Sequence, residues 1–219
     1  PADGSEEAQN LTERFDVFVG DATINDLPGH LPQSPPTWSQ DGTRIYFQVS
    51  EHGDTVLKSV ELDAAGDVGP DALSTIIGDI GVVGAFHFDD DQSTVAYLHA
   101  DMTEPAEVWS YDLVEDGAQK LTHVNQALLD EIDLGVVEEV WFKGAAGNDL
   151  QGWILKPPGF DASQQYPAIL EIHGGPRVQY GNFFMHEFFF LAAHGYVVGF
   201  CNPRGGRGYG EEHAKAIWN

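Results

Sequence analysis

The chain has 219 residues, 42% of them hydrophobic, and its 35 acidic residues outnumber its 10 lysines and arginines, so the formal net charge is −25. This length allows one large domain or two small ones, and the negative charge disfavours nucleic acids and anionic membranes as partners, because both are bound by clustered cations. No apolar run approaches the ~20 residues of a membrane-spanning helix and no signal peptide is visible, so we expect a cytoplasmic protein.

Residues 1–134 contain an internal repeat of short strands separated by turn residues. Trp38 and Phe47 flank an Asp-Gly turn, and the same outline returns with Phe88 and Tyr97 at an offset of 50 residues in both cases. Repeats of this length with several strands per unit are typical of β-propeller blades. We therefore predict a partial β-propeller of two to three blades over 1–134, with a β-sandwich as the alternative. Because a propeller closes with roughly four to eight blades, earlier blades of the same protein are expected partners.

The pattern changes near residue 135 and predicts the start of an α/β sheet over 135–219. The elements expected in chain order are a hairpin over 138–143 and 150–156, a strand over 168–172, a helix over 183–193 and a strand over 196–201. Asn182 is the expected cap of the helix, and Gly195 is expected just past its end. The helix is apolar on nearly every face and the last strand is almost wholly apolar. We therefore expect a deeply buried helix and a central strand covered on both faces.

The most informative segment is His-Gly-Gly-Pro at 173–176, which ends the strand over 168–172 and precedes the apolar helix. Glycine lets the main chain approach a ligand closely, so N–H groups near Gly174 and Gly175 can face a developing negative charge. Such a loop suits the oxyanion site of an α/β-hydrolase. The predicted fold class is therefore partial β-propeller blades followed by the N-terminal part of an α/β-hydrolase catalytic domain over 135–219.

Three segments in this order resemble the prolyl oligopeptidase family of serine peptidases, in its branch with acylaminoacyl peptidases and dipeptidyl peptidases. They are 150–160, 166–176 and Asn-Pro-Arg-Gly-Gly-Arg-Gly-Tyr-Gly at 202–210. The resemblance implies a hydrolase domain capped by a propeller, acyl transfer by a Ser-His-Asp triad, and short peptide substrates, with N-acylated peptides and dipeptide release both open. It also implies that the Gly175 N–H belongs to the oxyanion hole and that Gly174 supports the loop.

The chain departs from that family because it contains no Gly-x-Ser-x-Gly. The resemblance places this serine soon after Asn219 and the Asp and His later still. We therefore predict an internal piece of a longer enzyme, inactive alone, whose partners are its C-terminal catalytic portion and its earlier blades. A carboxylesterase of the same fold and a non-catalytic binding module stay open as alternatives, as does assembly into a homo-oligomer.

Three other residues have two interpretations each. Arg204 follows the strand over 196–201, where it could contact substrate or anchor its loop through carboxylates. His173 could act as a base, but its place at the end of a buried strand favours a structural hydrogen bond. The place of Cys201 in an apolar strand favours the role of a small buried hydrophobic residue over that of a catalytic thiol. Because it is the only cysteine in the sequence, an internal disulfide is excluded. No motif predicts a cofactor or a metal site.

Overall fold

The computed structural model describes residues 7–27 and 33–218, and their strands form one sheet of nine strands and one of four. The first sheet contains Phe18–Val19 (β1), Thr37–Trp38 (β2), Arg44–Glu51 (β3), Asp54–Leu62 (β4), Val68–Ile77 (β5), Val82–Phe88 (β6), Thr94–Ala100 (β7), Glu107–Asp112 (β8) and Gly117–Lys120 (β9). The second contains Val136–Lys143 (β10), Asp149–Lys156 (β11), Ala168–Glu171 (β12) and Val197–Cys201 (β13). The helices are Gln126–Leu129 (α1), His186–Ala193 (α2) and Glu211–Lys215 (α3), and none of these described helices is long and apolar enough to cross a membrane. The outer ends of the two predicted domains, residues 1–6 and 219, lie outside the described residues.

Within the described residues, the first sheet contains two four-stranded antiparallel units that follow chain order. Strands β2 to β5 form the first unit, and β6 to β9 form the second. The units are joined through a parallel bridge between Thr55 and Val82, and the short strand β1 pairs with β3. Short turns are enough to connect the strands inside each unit, because antiparallel neighbours only require the chain to reverse.

The 50-residue repeat in the sequence corresponds to these two units. Phe47 in β3 and Tyr97 in β7 are both buried, at 4% and 2% exposure. Phe88 is also buried, and its ring lies 4.6 Å from that of Tyr46, so one apolar core runs across both units. Trp38, the counterpart of Phe88, is 52% exposed, because its ring is not covered by the described part of the chain.

The second sheet has the strand order β10-β11-β13-β12, and the predicted hairpin is present with Glu139 opposite Trp153. Strand β13 is central and runs parallel to β12, as the strand–helix–strand order predicts. Val198 and Phe200 are buried against α2, whereas Gly199 between them is half-buried. The prediction that both faces are covered is therefore wrong for the described residues. Successive side chains point to opposite faces, and α2 packs against one of them.

Helix α2 begins at His186 rather than at Phe183, and Gly195 lies just past its end as predicted. Gly195 has a φ of +86°, the left-handed conformation that glycine adopts without strain after a helix. Phe188 is buried at 1% exposure, but Phe190 on the opposite side of the helix is 53% exposed. The predicted deep burial therefore holds only for the face that packs on the second sheet.

The N-terminal cap of α2 comes from a distant part of the chain. The Asp26 carboxylate accepts hydrogen bonds from the N–H groups of His186 and Glu187, at 2.7 and 2.6 Å. The prediction that Asn182 caps the helix is wrong, because its side-chain amide donates to the Asp54 carboxylate at 2.8 Å. Asp26 thus satisfies N–H groups that have no partner within the helix.

Gln179 joins the two sheets. It is fully buried, and its backbone forms a parallel bridge with Thr23. Its side-chain amide donates to Thr23 Oγ1 at 2.7 Å and to the Asp54 carbonyl at 3.0 Å. Because Thr23 and Asp54 belong to the first part of the chain, Gln179 fixes the connection between β12 and α2 against the first sheet.

Candidate active site

The carboxyl ends of β12 and β13 lie at the same edge of the second sheet, because the two strands are parallel. The chain leaves β12 into residues 173–176, called the glycine loop below, and leaves β13 into residues 202–207. The two connections touch, since the Arg207 N–H donates to the Val178 carbonyl at 3.2 Å. Ligands of open α/β sheets commonly bind at this edge.

The backbone of Gly175 is the part of the glycine loop that requires glycine. Its φ is +127°, which strains any L side chain, and a Cβ there would lie 2.9 Å from Val178 Cγ2. A Cβ at Gly174 would meet nothing within 4 Å. Both glycines are exposed, and the Gly175 N–H donates no hydrogen bond within the described residues. This N–H is therefore free to bind a ligand.

His173 lies buried at the start of the glycine loop, with its Nδ1 2.9 Å from the Gly174 carbonyl oxygen. Its ring meets that of Tyr180 edge to face, with centroids 5.0 Å apart. Its Nε2 exposes less than 1 Å² and has no hydrogen-bond partner in the described part of the chain. The structural hydrogen bond is thus present, and a ring nitrogen shielded in this way does not suit a general base.

The connection after β13 is held by a buried polar network around Asn202. Its Oδ1 accepts from the Tyr180 N–H at 2.7 Å, and its Nδ2 donates to the Tyr180 carbonyl at 2.7 Å. The Tyr209 hydroxyl accepts from Asn202 at 2.6 Å and donates to Gln151 Oε1 at 2.5 Å. Burial raises the pKa of Tyr209, so the hydroxyl keeps its proton and can donate it to Gln151. The sequence analysis included Asn202 in the segment 202–210 that resembles the family, but it did not predict this buried hydrogen-bonding role.

Arg204 is exposed and lines a cavity of about 560 Å³ beside the second sheet. Aromatic rings form much of the wall, with the His52 ring 5.8 Å from that of Trp141 and 5.5 Å from that of Tyr209. Arg204 forms no ion pair within the described residues, so no carboxylate there anchors it. The glycine loop does not line this cavity. The structure therefore places Arg204 and the glycine loop at one sheet edge but not in one pocket.

Comparison with known proteins finds peptidases and one esterase family. Residues 99–218, more than half of the chain, match the family model described as acetyl xylan esterase (AXE1). The uncharacterized peptidase YuxL of Bacillus subtilis is 31% identical over 207 residues, which are 94% of this chain and 30% of that protein. Dipeptidyl-peptidase 5 of Trichophyton schoenleinii is 29% identical over 191 residues, which are 83% of this chain and 25% of that protein.

Solved structures of longer peptidase chains superpose well on this chain. Acylaminoacyl peptidase of Pyrococcus horikoshii gives a TM-score of 0.72 at 24% identity, over 96% of this chain and 29% of that one. Dipeptidyl peptidase 4 of Porphyromonas gingivalis gives a TM-score of 0.65 at 20% identity, over 88% of this chain and 27% of that one. At these identities the likeness shows the fold alone. The chain spans less than a third of the length of each of these four proteins.

The chain belongs to the prolyl oligopeptidase family. The acetyl xylan esterase match fits the same type of fold, and the similar curated proteins are peptidases. The membership predicted from segments 150–160, 166–176 and 202–210 is therefore confirmed.

The 219 residues of this member of the prolyl oligopeptidase family contain no Gly-x-Ser-x-Gly. Cys201 at the end of β13 is half-buried, and burial raises the pKa of its thiol, which makes it a poor nucleophile. In residues 7–27 and 33–218, no group of three or more His, Cys, Asp or Glu side chains could hold a metal ion.

Proposed function

We propose that this member of the prolyl oligopeptidase family is part of a serine peptidase that hydrolyses short peptides by acyl-enzyme chemistry. The chain would supply propeller blades and the first four strands of the hydrolase sheet, and the Ser, Asp and His of the triad would lie on polypeptide outside these 219 residues. Similarity to the peptidase YuxL and to dipeptidyl-peptidase 5 supports peptide substrates. The likeness to acylaminoacyl peptidase supports the fold that such an enzyme needs.

The observation that carries the proposal is the exposed and unused N–H of Gly175 at the carboxyl edge of two parallel strands. In acyl transfer the carbonyl oxygen of the substrate becomes negatively charged in the tetrahedral intermediate. A fixed N–H donor stabilises that charge more than it stabilises the uncharged ground state, which lowers the barrier. Gly174 would support this donor, because its carbonyl is held by His173.

The two antiparallel units of the first sheet support the propeller part of the proposal. They have four strands each and share an apolar core, as neighbouring blades do. A propeller placed over the hydrolase domain would restrict entry to short peptides. The proposed partners are therefore the earlier blades, the C-terminal catalytic portion and short peptides in the cytoplasm.

Arg204 is the proposed substrate contact outside the glycine loop. Its exposed guanidinium has no ion-pair partner in the described residues, and it lines a cavity with aromatic walls at the sheet edge. Cavities of this size accommodate small ligands. If Arg204 contacts the substrate in the ground state and the transition state alike, Arg204→Gln raises KM and leaves kcat unchanged.

Labelling and turnover of the natural-length protein that carries this chain test the proposal. It should react with a fluorophosphonate probe and release product from blocked aminoacyl anilides. The 219-residue chain alone is the control, and it should not be labelled because it has no Gly-x-Ser-x-Gly. Labelling of the isolated chain, or failure of the natural-length protein to be labelled, would contradict the proposal.

A carboxylesterase of the same fold is the second candidate, because residues 99–218 match the acetyl xylan esterase model. Both reactions use the same oxyanion chemistry, so Gly175 does not distinguish them. The two functions are distinguished by comparing kcat/KM for blocked aminoacyl anilides with kcat/KM for simple acetyl esters. A preference for the acetyl esters would favour the esterase.

A further inference from the structure

We infer that the cavity around Arg204 is a subsite for a carboxylate group of the substrate, with the guanidinium as counter-ion and the aromatic rings as an apolar wall. The inference rests on the proposed function and adds a substrate class to it, namely short peptides that carry a carboxylate beside an apolar group. Acyl transfer itself does not require a charged substrate. The subsite would therefore determine which peptides are preferred.

Arg204 supplies the positive charge of this cavity. Its side chain is exposed and forms no ion pair within residues 7–27 and 33–218. Asp149, a carboxylate of the cavity wall, is by contrast paired with Lys143 at 2.7 Å. A guanidinium presents several N–H donors in one plane, which matches the two oxygens of a carboxylate. Arg204 is therefore the group of this wall that is suited to an anionic ligand.

Two further ionisable side chains of the wall lie on α3. Burial lowers the pKa of His213 below 6.5, and the charge of Arg204 lowers it further, although the ring bonds to the Pro203 carbonyl at 3.0 Å. His213 therefore adds no second positive charge at neutral pH. Glu212 also lines the cavity, and its charge opposes a bound anion. The affinity for a carboxylate thus depends on the balance between Arg204 and Glu212.

The first sheet contributes His52 to the same wall. His52 lies in the turn between β3 and β4 with a φ of +49°, a conformation that few residues other than glycine adopt. Its N–H donates to the Gly208 carbonyl at 2.9 Å, and a Cβ on the neighbouring Gly53 would lie 2.7 Å from the Trp153 ring. These contacts fix the turn, with the His52 ring 5.5 Å from that of Tyr209. Unusual backbone conformations of this kind cluster at functional sites.

Paired substrates of the natural-length protein test the carboxylate. One pair of blocked peptides differs only in an Asp or an Asn side chain, and a second pair differs only in a free or an amidated C-terminus. The two pairs therefore distinguish the two sources of a carboxylate. We expect kcat/KM for the acid of one pair to exceed that for its uncharged partner roughly 10-fold, the effect of one hydrogen bond to a charged group.

Substitution of Arg204 should remove this preference. In Arg204→Gln the ratio of the two kcat/KM values should fall to one or below, because a chain with a formal net charge of −25 repels anions. Arg204→Lys keeps the charge without the paired donors and should give an intermediate ratio. Each ratio is measured on a single protein, so a partial loss of folded enzyme does not change it.

Three other substitutions separate the charge from the wall. Glu212→Gln should raise the preference for the acid, because it removes a repelling charge. His52→Asn suits the left-handed turn and should weaken the hydrolysis of acids and amides alike, because it removes part of the apolar wall. Lys215→Gln is the matched control, since this lysine of α3 pairs with Glu211 and does not line the cavity. It should leave the ratio unchanged.

Binding of a small probe decides independently of turnover. 3-Phenylpropionate carries a carboxylate beside an apolar ring, and 3-phenylpropionamide is its uncharged counterpart. In NMR titrations the wild-type protein should bind the acid more tightly than the amide, and Arg204→Gln should not. Equal binding of acid and amide by the wild type, or a preference for the acid that survives in Arg204→Gln, would overturn the inference. Selective binding of the acid by a protein without hydrolase activity would contradict the proposed function alone.

Discussion

The two connections at the carboxyl edge of the second sheet differ in how their polar groups are satisfied. After β13, Asn202 is fully buried and its side chain bonds to both backbone groups of Tyr180. After β12, Gly175 is exposed and its N–H has no partner in the described residues. Burying an unpaired donor costs free energy, so an exposed loop can keep an N–H free at a lower cost than a buried one. One connection therefore stabilises the fold, and the other is available to a ligand.

Substitution of Gly175 tests the exposed side of this comparison and has the largest expected effect. Gly175→Ala in the natural-length protein should lower kcat/KM roughly 10²- to 10³-fold, because the N–H of a displaced loop no longer meets the oxyanion. The displacement is expected from the φ of +127° and from a Cβ 2.9 Å from Val178 Cγ2. Hydrolysis of a blocked aminoacyl anilide measures it.

Gly174→Ala is the matched control, since a Cβ there meets nothing within 4 Å. It should change kcat/KM little. If both variants lost the same factor in kcat/KM, the loop would tolerate a side chain at neither position. That result would contradict a special role for the Gly175 backbone.

Substitution of Asn202 tests the buried side. Asn202→Leu should lower the free energy of unfolding by about 2–4 kcal/mol, because it leaves the N–H and carbonyl of Tyr180 buried without partners. Urea unfolding of the chain measures the change. Cys201→Ala, at the neighbouring half-buried position, should cost about 1 kcal/mol. If both variants lose the same amount, the network contributes no more than ordinary packing.

The elements predicted correctly from the sequence are those with signals that lie close together in the chain. The hairpin over 138–143 and 150–156 follows from two strand patterns on either side of a glycine-rich turn, and Gly195 lies two residues past the end of an apolar run. The prediction for Asn182 failed for the opposite reason. It has a suitable residue type at a suitable place, but Asp54 binds its side chain. A cap can only be predicted when no distant partner competes for it.

The site was predicted in part for the same reason. Adjacent glycines marked the glycine loop, but the contacts of the buried His173 ring with the Gly174 carbonyl and with Tyr180 form only when the fold brings these residues together. Gln179 was missed because a glutamine has no sequence signal for complete burial, and its partners Thr23 and Asp54 lie far away in the chain.

Asp26 caps helix α2 at the end of the connection that contains the glycine loop, and we expect its substitution to have a smaller effect on stability than that of Asn202. Asp26→Ala should lower the free energy of unfolding by about 1 kcal/mol, the usual cost of a lost helix cap, because the N–H groups of His186 and Glu187 lose their acceptors. Asp26→Asn keeps one acceptor oxygen and should lose less. Chemical denaturation at neutral pH compares them, and a larger loss in the Asn variant would contradict the capping role.

The smallest expected effect is at Asp54, which lies below the connection after β12 and whose titration makes the stability of the fold depend on pH. Burial raises the pKa of Asp54 above 3.8, despite hydrogen bonds from Asn182 and from the Gly81 N–H, both at 2.8 Å. The native state therefore binds the proton more tightly than the unfolded chain does. The stability linked to this proton is fully present below pH 3.8 and is lost as pH rises through the raised native pKa.

Asp54→Asn resembles the protonated side chain and keeps an oxygen that can accept both hydrogen bonds. We expect it to match the wild type at about pH 3.5 and to be the more stable protein at about pH 7, as judged by urea midpoints. Asp41→Asn should behave in the opposite way, because hydrogen bonds, first from Ser39, lower the pKa of this exposed carboxyl to about 2. That variant should be less stable than the wild type at neutral pH and should approach it only as pH falls toward 2. If the stabilities of the two variants, relative to the wild type, changed with pH in the same direction, burial of Asp54 beneath the connection after β12 would not govern its titration.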